Sequence, residues 1–201
     1  ASDVYKRQEQ VHVIRCLNTD KICLFAASGS LYQIKAMDVP AGKLRDKGVP
    51  IENLSKYDGT KDSIVYLTCA QDLKGATLVF ATKMAMVKQV PAEEFETNNR
   101  MVAATKLQDG DQVVSILPVE GQEEVVLQTT SGVFLRFPLE EISVLKKASR
   151  GVRGIKLAKN EELEKLYLIG DNPVIDYKGK EVHMNRLKLA KRDGKGSKVR
   201  L

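Results

Sequence analysis

Short apolar strands alternate with small polar turns along the chain, and this alternation recurs. Four segments each contain an apolar strand, a short turn, a second strand and a polar stretch that ends in a further strand. When Gly29, Ala85, Gly132 and Gly179 at the ends of the four turns are taken as equivalent, they are 56, 47 and 47 residues apart. A recurrence with periods of this length predicts a repeat array rather than four unrelated hairpins.

The turn residues predict the shape of each hairpin. Glycine at the anchor position supplies the positive φ that tight hairpin turns require. Ala85 departs from this pattern, so we expect the second turn to be looser or differently shaped. A closing strand is expected to end in a leucine 22 to 25 residues after each anchor. These leucines are Leu54, Leu107, Leu157 and Leu201.

The strand pattern predicts an all-β, propeller-like fold of about four four-stranded blades, because each unit holds about four short strands rich in β-branched residues. The units span residues 11–54, 63–107, 111–157 and 163–201. Residues 1–10 fit no unit and are interpreted as a linker or as residues added by cloning. The only helical patterns are short, around residues 91–95 and 138–145, where early acidic residues suit the helix dipole.

Composition favours a soluble protein of a reducing compartment. Hydrophobic residues make up 43% and charged residues 29% of the 201 residues, as in globular domains. The longest apolar run, residues 22–27, is far shorter than the ~20 residues that a membrane span needs. The polar first ten residues predict no signal peptide. The three cysteines include no C-x-x-C pair, so we expect free thiols rather than a disulfide framework or a zinc site.

A search for catalytic chemistry finds no active-site pattern. His12 and His183 are the only histidines, and a metal site would need more ligands at workable spacing. The glycines and lysines of residues 193–198 do not have the spacing of a phosphate-binding loop. The sequence contains no G-x-S-x-G motif. We therefore predict no catalytic residue, no metal ligand and no cofactor in this chain.

The charge balance points to an anionic partner. Lys and Arg total 32 against 26 Asp and Glu, which gives a net charge of +6. A basic surplus of this kind favours polyanions, although many proteins carry one without such a partner. Aromatic residues are only 5% of the chain and Trp is absent, which weakens any stacking platform for single-stranded nucleic acid.

A family resemblance enters at residues 80–95, FATKMAMVKQVPAEEF. This stretch resembles a repeated motif, approximately F-x-T-x-x-G-x-x-K-R-T-P-L-x-E-F, in the carboxy-terminal domain of the A subunit of bacterial type IIA topoisomerases. Ala85 replaces the glycine and Gln89 the arginine of that motif. The matching residues are Thr82, Lys83, Val87, Lys88, Pro91, Glu94 and Phe95. Weaker echoes recur in every unit, so the resemblance covers about 190 residues.

The resemblance implies a fold and a function. The fold would be a β-pinwheel, a propeller-like ring whose blades exchange strands with their neighbours. Such a domain binds and bends duplex DNA around a basic outer rim and feeds a transport segment to the catalytic core. The implied partners are duplex DNA, the remainder of the A subunit, and the ATPase B subunit, in the nucleoid of the cytoplasm. The chain alone would not cut or ligate DNA, because it lacks the core.

The resemblance also allows a choice between two members of the family, gyrase and topoisomerase IV. Gyrase carries a box close to Q-R-R-G-G-K-G in its first blade, which supports tight wrapping. Residues 44–48 of this chain are Leu-Arg-Asp-Lys-Gly, without the double Arg or the double Gly. This difference favours topoisomerase IV over gyrase. A missing first blade would remove the box as well.

Candidate phosphate contacts are basic residues on or near the hairpins and closing strands, since wrapping needs contacts spread over a rim. Residues 146–156 form the densest cluster, and no acid interrupts it. The candidates are Lys83, Lys88, Arg136, Lys146, Lys147, Arg150, Arg153, Lys156, Lys178, Lys180 and Arg186. The alternative function is a propeller-like scaffold for protein partners, against which clustering of these residues on one rim would count.

Overall fold

The computed structural model describes residues 12–43, 45–171 and 173–199, and the expectations about residues 1–10, Leu44 and Leu201 fall outside these ranges. The strands are β1 (Lys21–Ala26), β2 (Ser30–Lys35), β3 (Ile64–Cys69), β4 (Thr77–Thr82), β5 (Met86–Pro91), β6 (Met101–Ala103), β7 (Val113–Pro118), β8 (Glu124–Thr129), β9 (Val133–Pro138), β10 (Val152–Arg153), β11 (Leu163–Ile169), β12 (Val174–Tyr177), β13 (Lys180–His183) and β14 (Ser197–Lys198). The helical elements are α1 (Ala70–Leu73) and the 3-10 turns Ala36–Asp38, Ile51–Asn53, Ala92–Phe95, Leu139–Glu141 and Met184–Arg186. The predicted all-β class is confirmed.

The sheets are antiparallel and share strands between units. Their orders are β3-β1-β2-β6, β10-β5-β4-β7 and β11-β8-β9-β14. In each sheet the central hairpin comes from one sequence unit, and both edge strands come from the next unit. Each unit thus completes the sheet of the unit before it. This is the strand exchange that the β-pinwheel resemblance implies.

The fourth hairpin differs from the predicted four-stranded blade. Strands β12 and β13 pair only with each other within the described residues. Each of the other three hairpins pairs with edge strands from the next repeat unit. The described residues contain no fifth unit that could supply edge strands to β12 and β13. The described fold therefore contains three four-stranded sheets and one two-stranded hairpin.

The expectation of a looser second turn was wrong. Ala85 has φ +62°, close to the left-handed values of Gly29 (+83°) and Gly132 (+78°). Its amide donates to the Thr82 carbonyl at 2.9 Å, as the Gly29 amide does to the carbonyl three residues before it. The alanine therefore adopts the glycine conformation in the same three-residue turn. The fourth turn has a different shape, with two positive-φ residues, Lys178 and Gly179, as in a two-residue hairpin loop.

The core lies between successive sheets. Phe25 from the first sheet packs edge-on against Phe95 at 5.1 Å between ring centroids, and Phe80 of the second sheet lies 6.2 Å from Phe25. A second cluster joins the second and third sheets through buried residues that include Val79 and Leu127. Because each sheet buries its face against the next, the repeats stabilise one another.

The inner and outer edges of the sheets can be told apart by their contacts. Strand β3 contacts β7, and β7 contacts β11, so these edge strands converge. The closing strands β6, β10 and β14 occupy the opposite edges, on the outside. Strands β6 and β10 end at Ala103 and Arg153, so the expectation that they extend to Leu107 and Leu157 was wrong. Leu107 and Leu157 instead pack against the core clusters. In the first unit, residues 47–54 hold the 3-10 turn Ile51–Asn53 rather than a closing strand.

Candidate nucleic-acid interface

The closing strands β10 and β14 lie in the same register on successive sheets. Val152 pairs with Val87, and Ser197 pairs with Phe134, each two residues after the anchor of its hairpin. A glycine directly precedes Val152, and another directly precedes Ser197. Gly151 has φ +92° and Gly196 has φ +66°. A glycine in the left-handed conformation therefore directly precedes each of the two outer strands.

This register places basic residues at equivalent points of two outer edges. Arg150 and Lys195 directly precede the two glycines, and Arg153 and Lys198 follow them by two residues. All four residues are exposed. Sequence reasoning missed Lys195 and Lys198. Aligning Gly196 with Gly151 would have found them, because both glycines have a basic residue at the same two distances.

The densest basic cluster of the sequence lies along the outer edge of the second sheet. Lys146 and Lys156 are exposed like Arg150, and Lys147 is half-buried. Arg153 forms a paired contact with Asp193, with Nε 2.5 Å from Oδ1 and Nη2 2.8 Å from Oδ2. Its hydrogen bonds lower the pKa of Asp193. Arg153 thus joins the outer edges of two sheets, and its charge is offset.

The prediction that Lys88 contacts a phosphate was wrong, because its side chain is buried and not available to DNA. It is 1% exposed. Its Nζ donates to the carbonyls of Ser149, Lys147 and Lys146 at 2.6, 2.9 and 3.4 Å. It also lies 5.5 Å from the centroid of the Phe80 ring. Burial lowers the pKa of Lys88 to about 8.

The prediction that Arg136 contacts a phosphate was also wrong, because its guanidinium group is already bound within the protein. Its side chain is 16% exposed, and Nε lies 2.5 Å from Oε2 of Glu124. Nη1 donates to the carbonyls of Asn185 and Leu187 at 2.6 and 2.9 Å. Gln89, which occupies the same register position of the second sheet, donates to two carbonyls around the 3-10 turn Leu139–Glu141. Residues at this position hold the 3-10 turn of the following unit.

The remaining candidates lie away from these two aligned outer edges. Lys83 is half-buried in the second turn, 3.9 Å from the Glu162 carboxylate next to the inner strand β11. Lys178, Lys180 and Arg186 are exposed on and after the fourth hairpin. Lys178 Nζ lies 5.4 Å from the centroid of the Tyr177 ring. The structure therefore brings together the residues of the 146–156 cluster and leaves these four apart from them.

One group of side chains in the described ranges has metal-ligating atoms within 4.8 Å of one another: Cys16, Asp20 and Cys69. The Asp20 carboxylate already accepts hydrogen bonds from the amides of Lys21 and Gln71, at 2.7 and 3.1 Å. Burial raises the pKa of Cys69 to about 12, which favours a neutral thiol. The group is thus a hydrogen-bonded carboxylate beside the neutral thiol of Cys69. No helix in the described residues is long and apolar enough to cross a membrane.

Comparisons with known proteins agree with this geometry. Residues 76–120 and 123–169 match the family model of the DNA gyrase C-terminal domain, a β-propeller. The DNA gyrase A subunit of Staphylococcus aureus (strain MRSA252) is 28% identical over 190 residues. That alignment covers 90% of this chain and 21% of the relative, so the chain spans about a fifth of the length of such proteins.

Two solved structures share the fold. The C-terminal domain of DNA topoisomerase IV aligns with a TM-score of 0.81 at 23% identity, over 90% of this chain and 58% of that one. The DNA gyrase A C-terminal domain aligns with a TM-score of 0.70 at 22% identity, over 98% of this chain and 66% of that one. These two structures show a shared fold. The match of residues 76–120 and 123–169 to the family model, with the gyrase A relative, bears out the predicted resemblance to the C-terminal domain of type IIA topoisomerase A subunits.

Proposed function

We propose that this chain, as a C-terminal domain from the A subunit of a type IIA topoisomerase, binds duplex DNA along the outer edges of its sheets. The observation that carries the proposal is the equivalent placement of exposed basic residues on and directly before β10 and β14. Arg150 and Lys195 share one position, and Arg153 and Lys198 share another. A repeated fold that repeats its charges in this way suits a ligand with regularly spaced phosphates.

The contacts support recognition of the backbone rather than of bases. Lys146, Arg150, Lys195 and Lys198 are exposed and form no ion pair within the described ranges, which leaves them accessible to phosphates. Lys198 also attracts the Glu161 carboxylate and helps to lower its pKa. Helical elements in the described residues are three or four residues long, and none is long enough to read a major groove. We therefore expect little sequence preference and a strong dependence on salt.

The arrangement of the sheets favours a bent duplex. The inner strands β3, β7 and β11 converge, so the outer strands lie on an arc around them. A duplex that contacts successive outer edges must follow that arc. Bending a site of 20–30 base pairs by 40–90° costs roughly 1–6 kcal/mol, which a few additional phosphate contacts offset.

In the whole enzyme, this domain would present a bent transport segment to the catalytic core and work with the ATPase B subunit, without chemistry of its own. Topoisomerase IV is favoured over gyrase, because residues 44–48 lack the double Arg and double Gly of the gyrase box. A domain of this kind acts on nucleoid DNA. The test of this finer assignment is plasmid relaxation by a type I topoisomerase in the presence of the chain. Bending without wrapping leaves the linking number unchanged, whereas gyrase-like wrapping shifts the topoisomer distribution.

DNA binding itself is tested by fluorescence anisotropy with two unrelated 40-base-pair duplexes. Energy transfer between dyes placed about 20 base pairs apart within the duplex, a separation close enough for transfer, reports bending in the same samples. We expect equal affinity for both sequences within about threefold, and increased energy transfer on binding. Absence of binding at low salt, or a strong preference for one sequence, would contradict it. A protein scaffold would then be the better account.

A further inference from the structure

Residues 146–150 carry three of the candidate phosphate contacts. The buried side chain of Lys88 forms hydrogen bonds to the backbone of this segment. Lys88 is the only lysine or arginine that is buried among the described residues. An ammonium group has three N–H donors. All three have acceptors here, because Nζ lies 2.6 to 3.4 Å from the carbonyls of Ser149, Lys147 and Lys146.

The segment forms a compact turn around these bonds. The Ser149 amide donates to the Lys146 carbonyl at 3.0 Å, and the Gly151 amide donates to the Ser149 hydroxyl at 3.0 Å. The Lys147 amide donates to the Glu94 carboxylate at 3.3 Å. Carbonyls turned towards Lys88 leave Lys146 and Arg150 exposed at the surface. The buried lysine therefore fixes the backbone from which the surface cations extend.

The fold itself does not require a lysine at this position. Lys88 pairs with Phe80, and at the same register of the third sheet Leu135 pairs with Leu127. Gly194 of the third outer connection lies directly over Leu135, since a Cβ at Gly194 would be 3.2 Å from Leu135 Cδ1. In the third sheet, an apolar residue therefore packs against the outer connection at this register position. Of the three four-stranded sheets, only the second has a lysine at this register, where the first has Tyr32 and the third has Leu135.

We infer that Lys88 is a positioning residue for DNA binding, which orders residues 146–150 so that Lys146 and Arg150 meet phosphates without contacting DNA itself. This inference rests on the proposed function. Without the ammonium group, three backbone carbonyls lose their hydrogen-bond donor. The segment then becomes less ordered, because these carbonyls must form hydrogen bonds with water instead. The surface charges remain, but they are spread over many conformations, and ordering them again on binding lowers affinity.

The test compares Lys88→Met with Lys165→Met, which removes the same charge from an exposed position on the inner strand β11. We expect Lys88→Met to weaken duplex binding at least about fivefold at 0.1 M salt and to lower the slope of log affinity against log salt by about one to two. Lys165→Met should change neither value appreciably. A purely structural loss of folded protein would lower the binding amplitude and leave the slope unchanged.

Hydrogen exchange of individual amides gives an independent readout. We expect the Ser149 and Gly151 amides to lose protection in Lys88→Met while the amides of β4 keep theirs. If Lys88→Met does not fold, Glu94→Ala replaces it, because it removes the acceptor of the Lys147 amide, with faster exchange expected at Lys147 and weaker binding. Parental affinity and slope in a folded Lys88→Met would overturn the positioning role alone. A parent chain that binds no duplex would overturn the proposed function, while exchange would still show whether Lys88 orders the segment.

Discussion

Gly151 and Gly196 lie at the same register position of two successive sheets, and each has its α-carbon against a backbone carbonyl. A Cβ at Gly151 would lie 2.6 Å from the Val87 oxygen, and one at Gly196 would lie 2.7 Å from the Phe134 oxygen. Both residues also have positive φ. Side chains at these points would push β10 and β14 away from their hairpins, and with them the basic residues on either side.

We therefore expect Gly151→Ala and Gly196→Ala each to lower the free energy of unfolding by roughly 2 kcal/mol or more, from the left-handed backbone and the clash together. Urea denaturation measures this loss. Gly170→Ala is the matched control, because its added Cβ meets only Gln122 Cγ at 4.0 Å. Equal stability of the two kinds of variant would contradict the close approach of the outer strands.

The ion pair between Arg153 and Asp193 offsets one charge of the outer edge. We expect Asp193→Asn to tighten duplex binding about two- to fivefold and to steepen the salt slope by about 0.9, as one more cation becomes free for phosphate. Asn also tolerates the positive φ of Asp193, which is +64°. Anisotropy titrations at several salt concentrations measure both values. Unchanged affinity would show that Arg153 does not face the DNA.

The buried ammonium of Lys88 makes stability depend on pH in a definite direction. Burial lowers the pKa of Lys88 from 10.5 to about 8, so between these values the unfolded chain binds more protons than the folded one. The free energy of unfolding due to Lys88 therefore rises as pH increases from 8 to 10.5. We expect the stability difference between parent and Lys88→Met to shift by roughly 2 kcal/mol in favour of the parent across this range.

Chemical denaturation at pH 7.5, 9 and 10 measures this difference. Half-buried tyrosines such as Tyr66 and Tyr167, whose pKa values desolvation raises, lower stability at high pH in both proteins. Their contribution therefore cancels in the comparison. A difference that does not vary with pH would show that Lys88 is not desolvated.

The cysteines should differ in reactivity according to burial. Burial raises the pKa of Cys23 and that of Cys69 to about 12, so neither is expected to react with iodoacetamide at pH 8 in the folded protein. Cys16 is only half-buried and should be alkylated first. Mass spectrometry before and after unfolding in guanidinium chloride counts the labels. Rapid labelling of Cys69 in the folded state would contradict its position at the end of β3.

Sequence pattern predicted the hairpins and their repeat, because strand alternation and turn residues are local properties. It could not predict that Ala85 adopts the glycine conformation, since a left-handed alanine depends on the hydrogen bonds of the folded turn. It also placed Lys88 and Arg136 among surface contacts. Carbonyls from segments about 50 to 60 residues away surround both side chains, and periodicity carries no information about such contacts.

The basic outer edge was predicted in part. Residues 146–156 stood out as an uninterrupted cluster, and the fold places them on an outer edge. Lys195 and Lys198 did not stand out, because Asp193 and several glycines dilute the charge around them. The pairing of β14 with β9 shows that they repeat the positions of Arg150 and Arg153, and their equal spacing from Gly196 and Gly151 was the available sequence signal.

The most direct test of the outer-edge interface is the salt dependence of duplex binding by two charge-matched quadruple variants. One replaces Lys146, Arg150, Lys195 and Lys198 with Ala, and the other replaces the exposed Lys43, Lys74, Lys159 and Lys165. We expect the first to lower the slope of log affinity against log salt by about 2 to 4, at about 0.9 per lost contact, and the second to leave it near the parental value. Equal slopes for the two variants would contradict the interface.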